Sequence, residues 1–556
     1  MLRNDSIFVD GGVQLSRKNG STWLGFSKYI FEIDMSASWD ATTNFTEKRI
    51  GRFGNSAMNA NPPNMVRGAL YRGLADNRRL FTFGGSTFLA NESDADWKLP
   101  ASDDYSLWSY DTGSMSWAQY DLTYAVPRRP NWGANAEAWR LGLAFYLNGM
   151  VDKGSSIAAY TMTEYINGTL QNETANHITY LPGLNIINMT TQVARNVATD
   201  SLGAPRIAGS LVWGGRIGKS GNGTLVAMGG MRSAGQRIDT FTNGVLIDFA
   251  TVALCDTFHE TDVRWYNQST TGEIPRPRID FCTIPSMSYA KDNSSNNIYI
   301  YGGYDPVQAI MYDDVYVLSL PSFTWTKVYS GNNSRFGHSC HSAGVRHMIR
   351  IGGSLDADTY AVETTGQLPV LDTLRCDQQG GVALFDLSDC TWGSFYDTNA
   401  PAYEVPTKVV ERIGGTRAGG ATVVEPVSGY DHPAISVMFN RPAATSSLSD
   451  PSVHPDGTKS GHIAGAVVGA VGGSFILAIL LVWAIKRRKK TLHAAKPDTA
   501  IAQETEDDFS ITQELPAKSM RLELDEQRYI AELDGETGSF DRTILGTTKP
   551  NSKPAW

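Results

Sequence analysis

The hydrophobic pattern of the N-terminal part of the chain is a series of short apolar segments that each end in glycine. Five of them close on the pairs Gly11-Gly12, Gly84-Gly85, Gly229-Gly230, Gly302-Gly303 and Gly352-Gly353, and a degraded sixth copy, LAFYLNG, ends at Gly149. Short apolar runs bounded by glycine are typical of strands, because glycine permits the backbone conformations with which a chain leaves a sheet. The pattern therefore predicts six repeats, each with a strand that ends at these glycines.

A second apolar segment follows most of the glycine pairs and leads to a tryptophan. These tryptophans are Trp39, Trp117, Trp265, Trp325 and Trp392, and an arginine followed by small residues precedes several pairs, as at Arg67, Arg206, Arg278 and Arg335. The third repeat has neither a full glycine pair nor a clear tryptophan, which leaves open whether it forms a complete unit. One four-stranded unit cannot cover both of its faces, so several must surround an axis.

Glycine pairs followed at a distance by tryptophan resemble the kelch repeat, and the resemblance covers about residues 7–427. Together with a C-terminal apolar segment, the chain resembles fungal kelch-repeat membrane proteins. The resemblance implies an all-β fold of the galactose oxidase superfamily, a kelch-type β-propeller of about six blades over residues 1–440. The first repeat has no arginine-small strand before its glycine pair. We expect Arg417–Thr422 to supply this strand and to close the first blade against the N-terminal strands.

Residues 463–485 form an apolar segment without a charged residue, and five basic residues, 486–490, follow at once. A segment of about 20 apolar residues spans a bilayer, and basic residues mark the cytoplasmic side. We therefore expect a single-pass type I protein in the plasma membrane or the secretory pathway, with its N-terminus outside. Residues 1–440 are then an ectodomain, 441–462 a Pro/Ser/Thr-rich stalk, 463–485 a transmembrane helix and 486–556 a basic, then acidic, disordered tail.

Potential N-glycosylation sites agree with this orientation, because all of them precede the apolar segment. They are Asn4, Asn19, Asn44, Asn91, Asn167, Asn172, Asn188, Asn222, Asn267, Asn293 and Asn332. No apolar signal sequence begins the chain, so we expect one to be missing from its start. If the large domain stays in the cytosol instead, these asparagines are not modified.

Glycine recurs every four residues within the apolar segment, at Gly465, Gly469 and Gly473. Glycines with this spacing lie on one helix face and let two helices approach closely in lipid. The spacing predicts a homodimer, although small residues are common in such segments in any case.

The net charge of −9 argues against nucleic acid as a partner. Five cysteines in 556 residues exclude a small disulfide scaffold. Cys282 and Cys340 fall on first strands of adjacent repeats and are the favoured disulfide pair. Cys376 and Cys390 flank one strand and are therefore disfavoured as a pair.

A catalytic centre is not evident in the sequence. The resemblance to galactose oxidase raises a copper site with two histidines, two tyrosines and a cysteine, but the histidine cluster here is His338-Ser339-Cys340-His341. We expect His338 to be a core residue, and we predict no cofactor, no metal and no catalytic residues. Gly214–Gly221 resembles part of a phosphate loop, but its spacing favours a turn between two strands.

Long segments follow three of the repeated strands, at 86–104, 150–183 and 354–380. In an antiparallel blade, each connection from the second to the third strand emerges on the same face, where loops commonly bind ligands. We expect Trp97, Tyr160, Tyr304 and Tyr360 to contribute to a binding surface for a protein or a glycan. The predicted function is thus a non-enzymatic, membrane-anchored interaction module. The alternatives are a membrane-tethered copper-radical oxidase and a cytosol-facing kelch scaffold.

Overall fold

The structure is a computed structural model, and it divides the chain after Ser447. Within residues 2–439 it describes all positions except 4, 19–20, 28, 52–61, 63–64, 75–77, 87–104, 153, 157–163, 167–168, 172–177, 216, 219–222, 234–243, 257–262, 285–289 and 356–380.

Among the described residues are six sheets that each contain four antiparallel strands paired in the order in which they follow in the chain, and one of the six, sheet 5, has a fifth, parallel strand. Sheet 1 contains Leu2–Arg3, Ser6–Val9, Tyr29–Asp34 and Glu47–Gly51, and sheet 2 contains Ala69–Tyr71, Arg79–Phe83, Leu107–Asp111 and Ser116–Tyr120. Sheet 3 contains Ala134–Ala138, Leu143–Leu147, Leu184–Asn188 and Val193–Val197, and sheet 4 contains Ser210–Gly214, Thr224–Met228, Thr251–Cys255 and Trp265–Ser269. Sheet 5 contains Cys282–Ile284, Asn296–Tyr301, Val315–Leu320 and Thr324–Tyr329, with Thr271–Gly272 parallel to its last strand, and sheet 6 contains Phe336–Ala343, His347–Ser354, Val382–Asp386 and Thr391–Gly393.

Shorter elements are concentrated in the connections between second and third strands. These connections contain the pairs Val13–Lys18 with Ser21–Phe26, Met150–Val151 with Thr179–Tyr180, Glu164–Ile166 with Thr169–Gln171, and Tyr304–Asp305 with Ile310–Met311. A small sheet joins Arg206–Ile207, Met231–Ser233 and Gly244–Leu246. The helices within the described part of the chain are α1 (Thr407–Ile413) and α2 (Pro433–Phe439), and single 3-10 turns occur at Trp139–Leu141 and Asp200–Leu202.

The core lies between the sheets rather than inside any one of them. Each sheet shares an apolar cluster with the next, as where Val226 of sheet 4 meets Ile300 of sheet 5. Sheet 6 packs in the same way on sheet 1, where Ile349 meets Ile7 and Ile33. Both faces of every sheet are therefore covered, and the six sheets follow one another in a closed cycle.

The cycle is also closed by strand pairing, but not by the segment that the sequence favours. Phe395–Tyr396, directly after sheet 6, pairs antiparallel with Trp39–Asp40 of the first repeat. The prediction for Arg417–Thr422 is wrong. This segment binds a turn of sheet 5, where the N–H of Gly420 donates to Asp292 (2.6 Å), and Leu2–Arg3 occupies the first-strand position of sheet 1.

The glycine pairs have the conformation that their position predicts. All of the repeat glycines have positive φ, between 57° at Gly229 and 104° at Gly303. In the third repeat Asn148, with φ of 54°, replaces the first glycine, and asparagine tolerates this region better than most residues. The third repeat accordingly forms a complete four-stranded sheet.

Backbone hydrogen bonds connect sheets 2 to 6 in order, through one equivalent residue of each. The N–H of Trp132 donates to the carbonyl of Arg67, and the series continues through Ala208, Asp280 and Gly337, with distances of 2.8–3.1 Å. All five residues have positive φ. Four of these residues lie just before a first strand and Gly337 is the second residue of one, so sheets 2 to 6 are joined at the start of their first strands.

Among the described residues, no helix is long and apolar enough to cross a membrane. The predicted span, 463–485, and its three glycines lie outside the described residues, as do the stalk and the tail.

Candidate functional site

One face of the sheets carries the ends of the second strands and the starts of the third. We call it the loop face, and we define it by Gly12, Gly85, Gly149, Gly230, Gly303 and Gly353. For the first five of these, the N–H donates to a backbone carbonyl at the entry to the next sheet, over 2.8–3.3 Å. The long connections 86–104, 150–183 and 354–380 all begin on this face, so they are insertions at equivalent points of one rigid frame.

Of the four residues predicted to bind a ligand, the structure describes one, Tyr304. Trp97, Tyr160 and Tyr360 lie outside the described residues. Tyr304 is buried, with 7% of its surface exposed, and its ring stacks on Phe336 with the centroids 5.2 Å apart. The assignment of Tyr304 to an open binding surface is therefore corrected, because its ring belongs to the core.

The cysteine and histidine cluster lies between sheets 5 and 6. Cys282 and Cys340 form a disulfide with their Cα atoms 5.6 Å apart, and His338 lies beside them on the same face of its strand. His338 is buried against Tyr301, with ring centroids 4.9 Å apart. Burial, with the nearby charges of Arg350 and Arg335, lowers the pKa of His338 to about 3, so its imidazole is neutral.

This cluster does not fit a copper-radical centre. Both of its sulfur atoms are joined in the disulfide, and no other group of three potential metal ligands is found within the described part of the chain. Cys255 and Cys390 are free thiols, and burial raises the pKa of Cys390 to about 12, which keeps it protonated. Gly214 ends a strand of sheet 4, and the N–H of Ile217 donates to its carbonyl (3.0 Å), as expected of a turn.

Buried arginines occupy the entry to the first strands of sheets 4, 5 and 6, at Arg206, Arg278 and Arg335. Their carbonyls accept the N–H of the last glycine in the preceding repeat, so the three positions are equivalent. The Nη1 of Arg278 donates to the carbonyl of Gly302 (3.0 Å) and forms an ion pair with Asp314. The Nη1 of Arg335 donates to the carbonyls of Gly352 and Gly353.

Arg206 is different, because its side chain lines a cavity. This cavity, which we call the Arg206 cavity, has a volume of about 280 Å³ and is also lined by Arg232, Asp248, Thr251 and Asn267. Arg206 is 8% exposed, and its buried Nε–H has no acceptor among the described residues. Burial and the charge of Arg232 lower the pKa of Arg206 to about 10.

A second cavity, of about 420 Å³, lies between sheets 1 and 2, and two of its charged lining residues form an ion pair. Glu32 accepts hydrogen bonds there from Lys48 (2.9 Å) and from Ser6 (3.1 Å). Its lining includes residues at the end of the third strand of sheet 2, on the side of the sheets opposite to the loop face. The Arg206 cavity instead contains two arginines beside one exposed carboxylate, Asp248, and a buried donor without an acceptor among the described residues.

Five of the potential glycosylation sites are described. Asn44, Asn267, Asn293 and Asn332 are exposed and Asn188 is partly exposed. The side chain of Asn188 accepts the N–H groups of Thr190 and Thr191. The other six lie outside the described residues.

The described residues define an all-β protein that is consistent with a kelch β-propeller. No family model matches the chain. It is 27% identical to a Kelch repeat-containing protein of the fungus Arthroderma benhamiae, in a match that covers 87% of this chain and 74% of the relative. The solved structure of YjhT is similar with a TM-score of 0.38 and 11% identity, over 64% of this chain and 88% of that one.

Sequence reasoning identified Arg206 as a repeat arginine but did not identify the cavity. A signal was available in the aligned repeats, since sheet 5 has Asp314 where sheet 4 has Thr251. The equivalence of Asp314 and Thr251 can be recognised only from the strand register, which the structure supplies.

Proposed function

We propose that this chain is a membrane-anchored, six-bladed kelch propeller that binds a protein partner through its loop face. The kelch-repeat relative and the all-β fold support a protein-interaction propeller. The main support for assigning the binding surface to the loop face is the position of the long insertions. The connections between second and third strands hold the long segments of sheets 2, 3 and 6, on a frame whose sheets are linked by backbone hydrogen bonds. Long loops on a rigid scaffold are common sites of recognition.

Partner capture by the full-length protein tests the choice of face. Photo-crosslinking in the cells that express the chain would compare the parent with a Trp97→Ala, Tyr360→Ala double variant. The control is Met115→Ala, which changes a 57% exposed residue in the turn after a third strand, on the opposite side. We expect the double variant to lose its crosslinked partner at an unchanged melting temperature, and the control to keep it.

An unchanged set of crosslinks in the double variant would contradict the proposal. Unfolding of that variant would instead identify the two rings as core residues. Crosslinks that form only to glycosylated partners, and that free glycan abolishes in the parent, would indicate a carbohydrate ligand in place of a protein surface.

The proposed type I orientation rests on the apolar segment, the basic residues after it and the exposed sequons. Digestion of the full-length protein with an N-glycosidase is expected to increase its electrophoretic mobility. Combined replacement of Asn44, Asn293 and Asn332 by glutamine should remove part of that shift. No shift in the parent would favour the cytosol-facing scaffold.

Self-association through the apolar segment is part of the same proposal and has its own control. Gly469→Ile should weaken association of the full chain in a membrane two-hybrid assay, because a large side chain separates the helices. Gly472 is outside the four-residue repeat, so Gly472→Ile should have little effect. Equal effects of the two changes would contradict a dimer through Gly465, Gly469 and Gly473.

A further inference from the structure

Two arginines are directly opposite each other in the small sheet beside sheet 4. Arg206 pairs with Arg232 across an antiparallel ladder, and both side chains line the Arg206 cavity. Directly opposed side chains on such a ladder have Cβ atoms about 5 Å apart, and like charges there are destabilising. The arrangement therefore concentrates positive charge at a cavity while one buried donor remains without an acceptor among the described residues.

Sheet 5 has a carboxylate beside the arginine at the same position, although the Nη2 of Arg278 has no partner among the described residues. Arg278, equivalent to Arg206, forms an ion pair with Asp314. In sheet 5, Ile300 is two residues before its first repeat glycine and lies opposite Tyr316. The matching residue of sheet 4, Ala227, lies opposite Ala253.

The register then identifies the residue that replaces the carboxylate. Two positions before Tyr316 is Asp314, and two positions before Ala253 is Thr251. Sheet 4 thus has an exposed threonine where sheet 5 has an aspartate, and Thr251 lines the cavity. Asp248 also lines it but is exposed, and its Oδ1 accepts the N–H of Ala250 (3.1 Å).

We propose that the Arg206 cavity is a binding site for a carboxylate group, which takes the place that the Asp314 side chain has in sheet 5. Guanidinium groups bind carboxylates through paired hydrogen bonds, and such charge-assisted bonds are the stronger ones in proteins. A cavity of about 280 Å³ is far larger than the roughly 15 Å³ that is enough to hold one water. The site goes beyond the proposed function, because its assignment does not depend on the partner that the loop face binds.

Titration of the full-length protein in detergent with sodium acetate tests the site, with sodium chloride at equal ionic strength as the reference. We expect acetate to bind and to raise the melting temperature. Arg232→Gln should weaken acetate binding by about tenfold or more, as the loss of a charged hydrogen bond implies. Arg264→Gln is the matched control, since Arg264 is an exposed arginine directly before the last strand of sheet 4 and does not line the cavity. Absence of acetate binding, or equal losses in the two variants, would overturn the proposal.

A second pair of variants tests the comparison with sheet 5 directly. Thr251→Asp supplies the missing carboxylate, so it should raise the melting temperature and abolish the response to acetate. Thr251→Asn has nearly the same shape without the charge and should keep the response. Unreduced acetate binding in Thr251→Asp would overturn the assignment of the site.

The source of the carboxylate is distinguished by a third titration, with a short glutamate peptide. Binding of the peptide more tightly than acetate, and with the same dependence on Arg232, identifies an acidic protein side chain. Equal affinities identify a small carboxylic acid. Neither result depends on Trp97 or Tyr360, so failure of this site and failure of the loop-face proposal remain distinguishable.

Discussion

Gly303 is constrained both by its positive φ and by the close approach of neighbouring atoms. Comparing alanine substitutions at Gly303 and Gly12 separates the two effects. Its φ is +104°, and a Cβ atom placed on it would lie 2.9 Å from the carbonyl oxygen of Ile279 and 2.9 Å from the Cβ of Phe281. Ile279 cannot retreat freely, because its N–H and its carbonyl both pair with Tyr304 (2.8 and 2.9 Å). Gly12 occupies the equivalent position of the first repeat with φ of +88°, but there a Cβ atom would have no described neighbour within 4 Å.

The two substitutions therefore differ in one physical contribution. Positive φ costs an L-residue about 1–2 kcal/mol, and forcing a group into a filled site costs about 1–3 kcal/mol more. Gly12→Ala is expected to lower the free energy of unfolding by about 1–2 kcal/mol, and Gly303→Ala by about 2–5 kcal/mol. Gly303→Val should be worse still, because a β-branched side chain is larger and stiffer.

Urea unfolding of the full-length protein, followed by tryptophan fluorescence, measures the difference between Gly303→Ala and Gly12→Ala. Wild-type protein and both variants are compared under identical detergent conditions. Equal losses of stability would refute the close approach at Gly303. No loss in either variant would refute the positive φ at both positions.

Removing the disulfide, by Cys282→Ser with Cys340→Ser, is expected to cost about 4 kcal/mol in the loop-entropy account, given a sequence separation of 58 residues. The same urea assay measures this loss, Cys390→Ser is the free-thiol control, and absence of the linked peptide from a non-reducing digest of the parent would contradict the pairing. Burial raises the pKa of Glu137 from 4.5 to about 7, so the folded state holds this proton more tightly than the unfolded state. Stability should therefore fall as pH rises from about 4.5 through 7, by up to about 3 kcal/mol. Glu137→Gln should flatten that dependence in thermal unfolding, whereas the exposed Glu411→Gln should not, and identical pH profiles would show that Glu137 is not the responsible group.

Local rules in the sequence were sufficient for the repeat and for its strands. A glycine pair after an apolar run predicts positive φ wherever a strand must leave the sheet, and the repeat glycines have it. Tryptophan at the fourth-strand position is a large apolar side chain that needs a neighbouring sheet, and Trp325 is fully buried between sheets 4 and 5. These outcomes depend on each residue and a few neighbours in the chain, so a pattern can reveal them.

The third repeat forms a complete sheet although it lacks the full glycine pair and a clear tryptophan. The positive φ at Asn148 needs only a residue that tolerates that conformation. Its strands, such as Leu143–Leu147 and Leu184–Asn188, are held by full backbone pairing with their neighbours, which does not require a particular side chain.

By itself, the sequence determined the all-β repeat, the order of the strands and the sites of the long connections, because periodic apolar runs and glycines act over a few residues. Tertiary structure decided which aromatic rings are buried, as at Tyr304, and how the cycle closes, through Phe395–Tyr396 and Trp39–Asp40. It also decided that Arg278 has a carboxylate partner while Arg206 faces a cavity. These outcomes depend on the strand register between residues that are distant in the chain. One different side chain on the neighbouring strand, such as Thr251 in place of an aspartate, is enough to change them.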